Sequence, residues 1–171
     1  MKAQVRKTVR DADGRRLTQK EVEASFASSY VEYQYHLVNF LADHLADVSR
    51  AFAGDMQKAM ILAIIGQVHL NMMMANTATG RNAQDQPPDR RGITTNRLSD
   101  TTGIPRETTR RKLIEMEKSG WLVRHDGYWA LAMDGPDAVA RHGLSDLDTR
   151  AVKRVATFFR ALSGLVGGGK V

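Results

Sequence analysis

Residues 93–131 read ITTNRLSDTTGIPRETTRRKLIEMEKSGWLVRHDGYWAL, and the order of signals in this run decides the fold. A short extended pair, Ile93-Thr94, precedes a helical pattern over Thr95 to Thr102. Gly103-Ile104-Pro105 interrupts it, and a second helix follows from Arg106 to about Ser119, with Pro105 suited to a first helical position. Two extended stretches, Trp121 to Arg124 and Tyr128 to Leu131, then flank Asp126-Gly127, a favoured pair for a tight hairpin turn. Gly103 falls four residues after Ser99, where two helices must cross and the chain calls for a positive φ. On a wheel of about 100° per residue, Thr109, Leu113 and Met116 cluster within about 60°, while Arg106, Glu107, Arg110 and Arg111 span about 140° elsewhere. One face packs and the other is polar and cationic. Ile114 falls inside the polar arc.

Working outward, Thr18 and Glu21 have capping-box spacing. Val22, Phe26, Tyr30, Tyr33, Leu37, Leu41, Leu45, Val48 and Phe52 then recur every three or four residues. The pattern predicts one long amphipathic helix within 18–54, straight or kinked, ending at Gly54. At about 1.5 Å per residue it exceeds about 45 Å, longer than a small core needs, so much of its apolar face is expected to meet a partner chain. Residues 55–74 predict a helix apolar nearly all round, as a central helix is. Asn76 to Gly92, with Pro87-Pro88, reads as a loop. Beyond the hairpin, Pro136 and Gly143 punctuate a connection. Ser145 and Asp148 form a second capping box, and an apolar stripe predicts a last helix over 144–166 before Gly167-Gly168-Gly169. The expected organisation is a basic arm (1–17), an N-terminal dimerisation helix (18–54), a DNA-binding unit (55–132) and a C-terminal dimerisation helix (144–166). Tyr33, Leu37, Val155 and Phe159 are the expected dimer contacts.

The chain has 171 residues and a net charge of +6, with ordinary globular composition. That excludes wholesale disorder and fibrous classes. Charge is segregated: +5 over residues 1–20, −4 over 21–80, +4 over 81–112 and +1 over 113–171. Two places are therefore suited to a polyanion. Residues 1–17 read either as a hairpin around Asp13-Gly14 or as a disordered arm. The absence of cysteine removes disulfides, thiolate zinc sites and cysteine nucleophiles. The longest apolar run, Ala59 to Ile65, falls short of a membrane span, and residues 1–20 lack the apolar block of a leader, so a cytoplasmic location is expected.

An Arg-bearing helix fits the B-DNA major groove, where Arg can bond a guanine edge and Glu can accept from cytosine N4. Thr95, Asn96, Arg106, Glu107, Thr108, Arg110 and Arg111 are the candidate DNA contacts, with Arg124 and His125 near the hairpin tip. The bland reading of the helix is a solvated face with paired charges. His44 and Asp47 stand one helical turn apart, but such spacing is routine on a solvated helix, and no metal is expected. His69 beside Met72-Met73-Met74 reads as core filling more simply than as a pocket, which leaves a small-molecule effector open. No nucleophile-base pair or phosphate-cradling glycine loop is present, so neither catalysis nor a cofactor is expected.

The run Ser99-x-x-x-Gly103-Ile104-x-Arg106-Glu107-Thr108-Thr109-x-Arg111-x-Leu113, then Gly120-Trp121-Leu122 and a hairpin, resembles a bacterial winged helix-turn-helix transcriptional regulator. Its Arg-Glu-Thr-x-x-Arg segment is similar to the recognition helix of the cyclic-AMP receptor protein family. That resemblance implies base contacts by Arg106, Glu107 and Arg111 and a phosphate contact by Thr108. The helical pattern over 18–74 leaves no counterpart to that family's nucleotide-binding β-roll, and the layout resembles MarR-type regulators, which dimerise through their terminal helices. The hairpin lacks the long basic loop typical of that group. The expected fold is thus mainly α with a small β-hairpin, a winged helix-turn-helix flanked by long dimerisation helices. The expected function is sequence-specific binding of double-stranded DNA by a homodimer. The rival readings are a winged-helix protein-interaction module and a non-specific architectural DNA-binding protein.

Overall fold

The computed structural model describes residues 14–80, 92–135 and 137–167, which form mainly helix with small antiparallel sheets. Expectations for residues 1–13, for Pro87-Pro88, for Pro136 and for Gly168-Gly169 lie outside the described residues. Two compact units are present, one within Val48–Asp148 and one from the segments up to Asp47 and from Thr149 onward.

In the Val48–Asp148 unit, α3 (Met56–Thr79) starts where the Asp55 carboxylate accepts the Lys58 N–H at 2.9 Å and ends at Gly80, which takes the left-handed conformation that glycine allows. It runs five residues beyond the expected end, because Ala75 to Thr79 contains no Gly or Pro and polarity alone does not stop a helix. Its Ile61 and Ile65 side are fully buried, whereas Met60, Leu70 and Met74 are exposed. It is therefore one-sided rather than the all-round buried helix its composition predicts. By length and composition Met56–Ala78 could cross a bilayer, a match the sequence expectation did not include.

Strand β1 (Ile93–Thr94) leads into α4 (Thr95–Thr102), then α5 (Arg106–Lys118), β2 (Leu122–His125) and β3 (Tyr128–Leu131). The strands form an antiparallel sheet in the order β1-β3-β2, with Ile93 and Arg124 both opposite Trp129. Asp126 (φ +50°) and Gly127 (φ +83°) are both at positive φ, as the tightest hairpin turns require. Thr109, Leu113 and Met116 are fully buried, as the wheel predicts. Leu113 and Met116 join Ile61, Ile65, Leu98, Leu122 and Trp129 in one core. Each large aliphatic side chain buried there contributes about 1.5–3 kcal/mol. Lys112 is buried too, its Nζ 2.5 Å from Asp55 Oδ2, an ion pair that ties α5 to the start of α3. A second two-stranded sheet, β4 (Met133–Asp134) with β5 (Asp137–Ala138), and a short α6 (Val139–Gly143) occupy what the sequence reads as a plain connection.

The other unit is helical: α1 (Gln19–Ser28), most of α2 (Tyr30–Ala51) and most of α7 (Ser145–Gly167). The Thr18/Glu21 capping box is formed. The single helix expected over 18–54 is instead two, divided at Ser29 (φ −107°, ψ 39°). Ser25 and Ser28 hydroxyls donate to the carbonyls of Glu21 and Ser25, a local competition that weakens a helix. The apolar repeat continues through the break, so periodicity did not reveal it. Ser145 is the first residue of α7 rather than its cap, and the Asp148 N–H donates to the Leu144 carbonyl at 3.0 Å. Helices α2 and α7 pack through stacked Phe40 and Phe158 rings, 4.6 Å between centroids. Beside them Asp47, 1% exposed, bonds Arg154 at 2.5 Å and Arg150 at 3.3 Å.

Candidate nucleic-acid interface

The turn that aims α5 is fixed from three sides. Gly103, at φ +69°, donates its N–H to the Ser99 carbonyl at 2.9 Å. A methyl group there would meet no atom within 4 Å, so backbone conformation rather than close helix crossing is what calls for glycine. The Ile104 carbonyl accepts two hydroxyls, Ser99 at 2.7 Å and Thr109 at 3.3 Å. Pro105 is the N-cap rather than the first helical residue: its ψ of 139° is extended, and its carbonyl accepts the Thr109 N–H. It provides no side-chain cap, so the first N–H groups of α5 lack that acceptor.

Arg106, Glu107, Arg110 and Arg111 are exposed and Thr108 is half-buried. Thr95, Arg106, Arg110 and Arg124 line one groove of about 350 Å³ together with Ile114, Glu117 and Trp129. The structure thus brings four of the expected contacts, from α4, α5 and β2, around one concavity. Asn96, Glu107, Thr108, Arg111 and His125 are not among the residues lining it.

Trp129 organises this groove. Its Nε1 donates to Thr95 Oγ1 at 3.0 Å, and the Arg124 guanidinium lies 5.4 Å from the ring centroid, within cation–π range. Counting back across the Asp126-Gly127 turn puts Arg124 opposite Trp129, so the hairpin register already carried this signal. Ile114 is half-buried against the core and lines the groove, which accounts for an apolar residue in the polar arc.

The Glu107 carboxylate accepts from Arg110 Nη2 at 2.6 Å and Nε at 3.0 Å. That hydrogen bond, with the nearby charges of Arg110, Arg106 and Arg111, holds the Glu107 carboxyl below its ordinary value, and Glu107 in turn raises Arg110. Glu107 is therefore ionised at neutral pH. The arc carries three arginines against this one glutamate, and Arg110 is already engaged in the free protein.

The expected dimer residues divide. Val155 and Phe159 are exposed on α7. Tyr33 instead stacks on Phe26 of its own chain, 5.1 Å between centroids, and Leu37 is half-buried. The exposed large apolar residues of α2 are Tyr30, Val31, Tyr35, Val38, Leu41 and Leu45. The apolar spacing of three or four residues marks the stripe but not which of its edges is left exposed in the single chain. Near His69, Met73 and Met74 are exposed rather than core filling. No group of three or more metal-ligating side chains gathers among the described residues. No protein-family model, curated protein or solved structure matches this chain, so its own geometry is the ground for any reading of the groove.

Proposed function

We propose that the chain is a sequence-specific DNA-binding transcriptional regulator, acting in the cytoplasm as a homodimer on an inverted-repeat operator. In this reading α4 and α5 are the helix-turn-helix, β2 and β3 the wing, and α5 lies in the major groove. The observation that carries it is the convergence of Arg106, Arg110 and Arg124 on one groove floored by Ile114 and Trp129. Such a floor lets cationic side chains stand out from a rigid surface while the α5 N-terminus, without a side-chain cap, faces the same polyanion. Arg106 and Arg111 read bases, Thr108 and the α5 N-terminus position the phosphate backbone, and Arg124 supports the wing. Exposed apolar residues on α2 and α7 supply the self-association that sets two recognition helices one helical turn, about 34 Å, apart.

Selection of bound sequences from a random duplex pool tests this directly. Enriched inverted repeats are the expected result, with affinity falling steeply as salt rises. Binding without enrichment would favour an architectural role, and no salt-sensitive DNA binding at all would favour a protein-interaction module.

A further inference from the structure

On a wheel of about 100° per residue, α3 has a second flank beside its buried Ile61 and Ile65 side: Ile64, Val68, Asn71 and Ala75 fall within about 60° of one another. These four line an open surface cleft of about 370 Å³, bordered on other sides by Gln67, Met72, Ile93, Arg97 and Thr101. Its chemistry is lopsided. The wall is aliphatic at Ile64, Val68, Met72 and Ile93. Its polar groups are the amides of Gln67 and Asn71, the Thr101 hydroxyl and the Arg97 guanidinium, and the described lining includes no carboxylate. The Arg97 backbone N–H goes to Thr94 Oγ1 at 3.3 Å, while its guanidinium has no ion pair among the described residues.

We infer that this cleft binds a small amphipathic carboxylate. Arg97 and Thr101 engage the carboxylate, Asn71 and Gln67 take remaining hydrogen bonds, and the aliphatic wall holds the apolar body. A phosphate backbone would leave that wall uncovered, and an inorganic anion would leave most of the space unfilled. The site stands apart from the DNA reading, since none of its lining residues except Thr95's helix neighbours on α4 shares an element with the groove, and its test measures ligand binding alone.

The experiment is calorimetric titration of the full chain with butyrate, hexanoate, octanoate and phenylpropanoate, with their primary amides and with inorganic phosphate. Saturable one-to-one binding is expected for the longer carboxylates, about tenfold tighter than for their amides, and absent for phosphate. Arg97→Ala should abolish the preference over the amide and Arg97→Lys should restore part of it. Ala75→Phe should fill the space and weaken carboxylate and amide together. Both positions are exposed, so thermal unfolding should confirm that each variant folds. Absence of saturable binding by every carboxylate, equal binding of acid and amide, or binding unchanged in Arg97→Ala or Ala75→Phe would overturn the inference.

Discussion

The two units hide very different things. Every buried apolar residue among those described, from Phe52 to Ala140, belongs to the Val48–Asp148 unit. In the other unit the described residue that reaches full burial is a carboxylate, Asp47, while Tyr30, Val31, Tyr35, Val38, Leu41, Leu45, Val152, Val155 and Phe159 are left in solvent. The first unit has a contiguous apolar core. The second carries its apolar area outside and its charge inside, the inverse arrangement, and an exposed patch of that extent is the mark of an interaction surface.

The strongest way to break this contrast is truncation. Leu113→Ala, in the apolar core, should cost about 2–5 kcal/mol of unfolding free energy in urea, with no dependence on protein concentration. Phe159→Ser should leave the Leu113-type stability nearly intact yet lower the mass seen in sedimentation from near 38 kDa, twice the chain's 19.0 kDa, toward the monomer. A wild type that sediments as a monomer at micromolar concentration would remove the reason for the exposed stripe.

Asp47→Asn probes the inverted side. It would strand Arg154, whose side chain is 18% exposed, and unfolding should become easier by about 3 kcal/mol. A loss below about 0.5 kcal/mol would mean that the pair behaves like a surface one.

A matching ion pair in the first unit sharpens the comparison. Asp55→Asn should cost about 2 kcal/mol, because Lys112 is left buried without its partner. Burial raises the Asp55 carboxyl, but the hydrogen bonds from Lys112 and the Lys58 N–H outweigh it and set the folded value below 3.8. Its stabilisation is therefore complete above the unfolded value and is lost as pH falls through the lower, folded one. Acid unfolding followed by circular dichroism should show that limb in the wild type and not in Asp55→Asn.

On the DNA reading, Arg106→Ala or Arg111→Ala should cost about 1–3 kcal/mol on the selected site and relax base choice there, with no change in unfolding. Equal losses on selected and random duplexes, measured by fluorescence anisotropy, would reassign both to phosphate.

How much of this was legible depended on the range of the signal. The segment from Ile93 to Leu131 could be read because glycine, proline and Asp-Gly specify local backbone, and each fell where the chain turns. The break at Ser29 could not, since Phe26 and Tyr33 kept their spacing and only serine hydroxyls betrayed it. The Lys112–Asp55 pair joins residues 57 positions apart, and no local pattern points from one to the other. In the groove, the arginines were visible as charge on an arc. Ile114 looked like an error in that arc until Trp129, on a strand, was set beside it.

If the proposed DNA binding holds, the Glu107–Arg110 pair has a consequence for search along the duplex. Arg110 would then meet the duplex with its fork already engaged by the tethered Glu107 carboxylate. A lone phosphate attracts Arg110 but repels Glu107, so at a random position the exchange yields little. Where the duplex offers an acceptor for the arginine and an amino group for the glutamate at neighbouring bases, both halves of the pair are released into better partners at once. On that proposal the pair would act as a threshold, leaving the protein loosely held while sliding and tightening its grip where the sequence answers both charges.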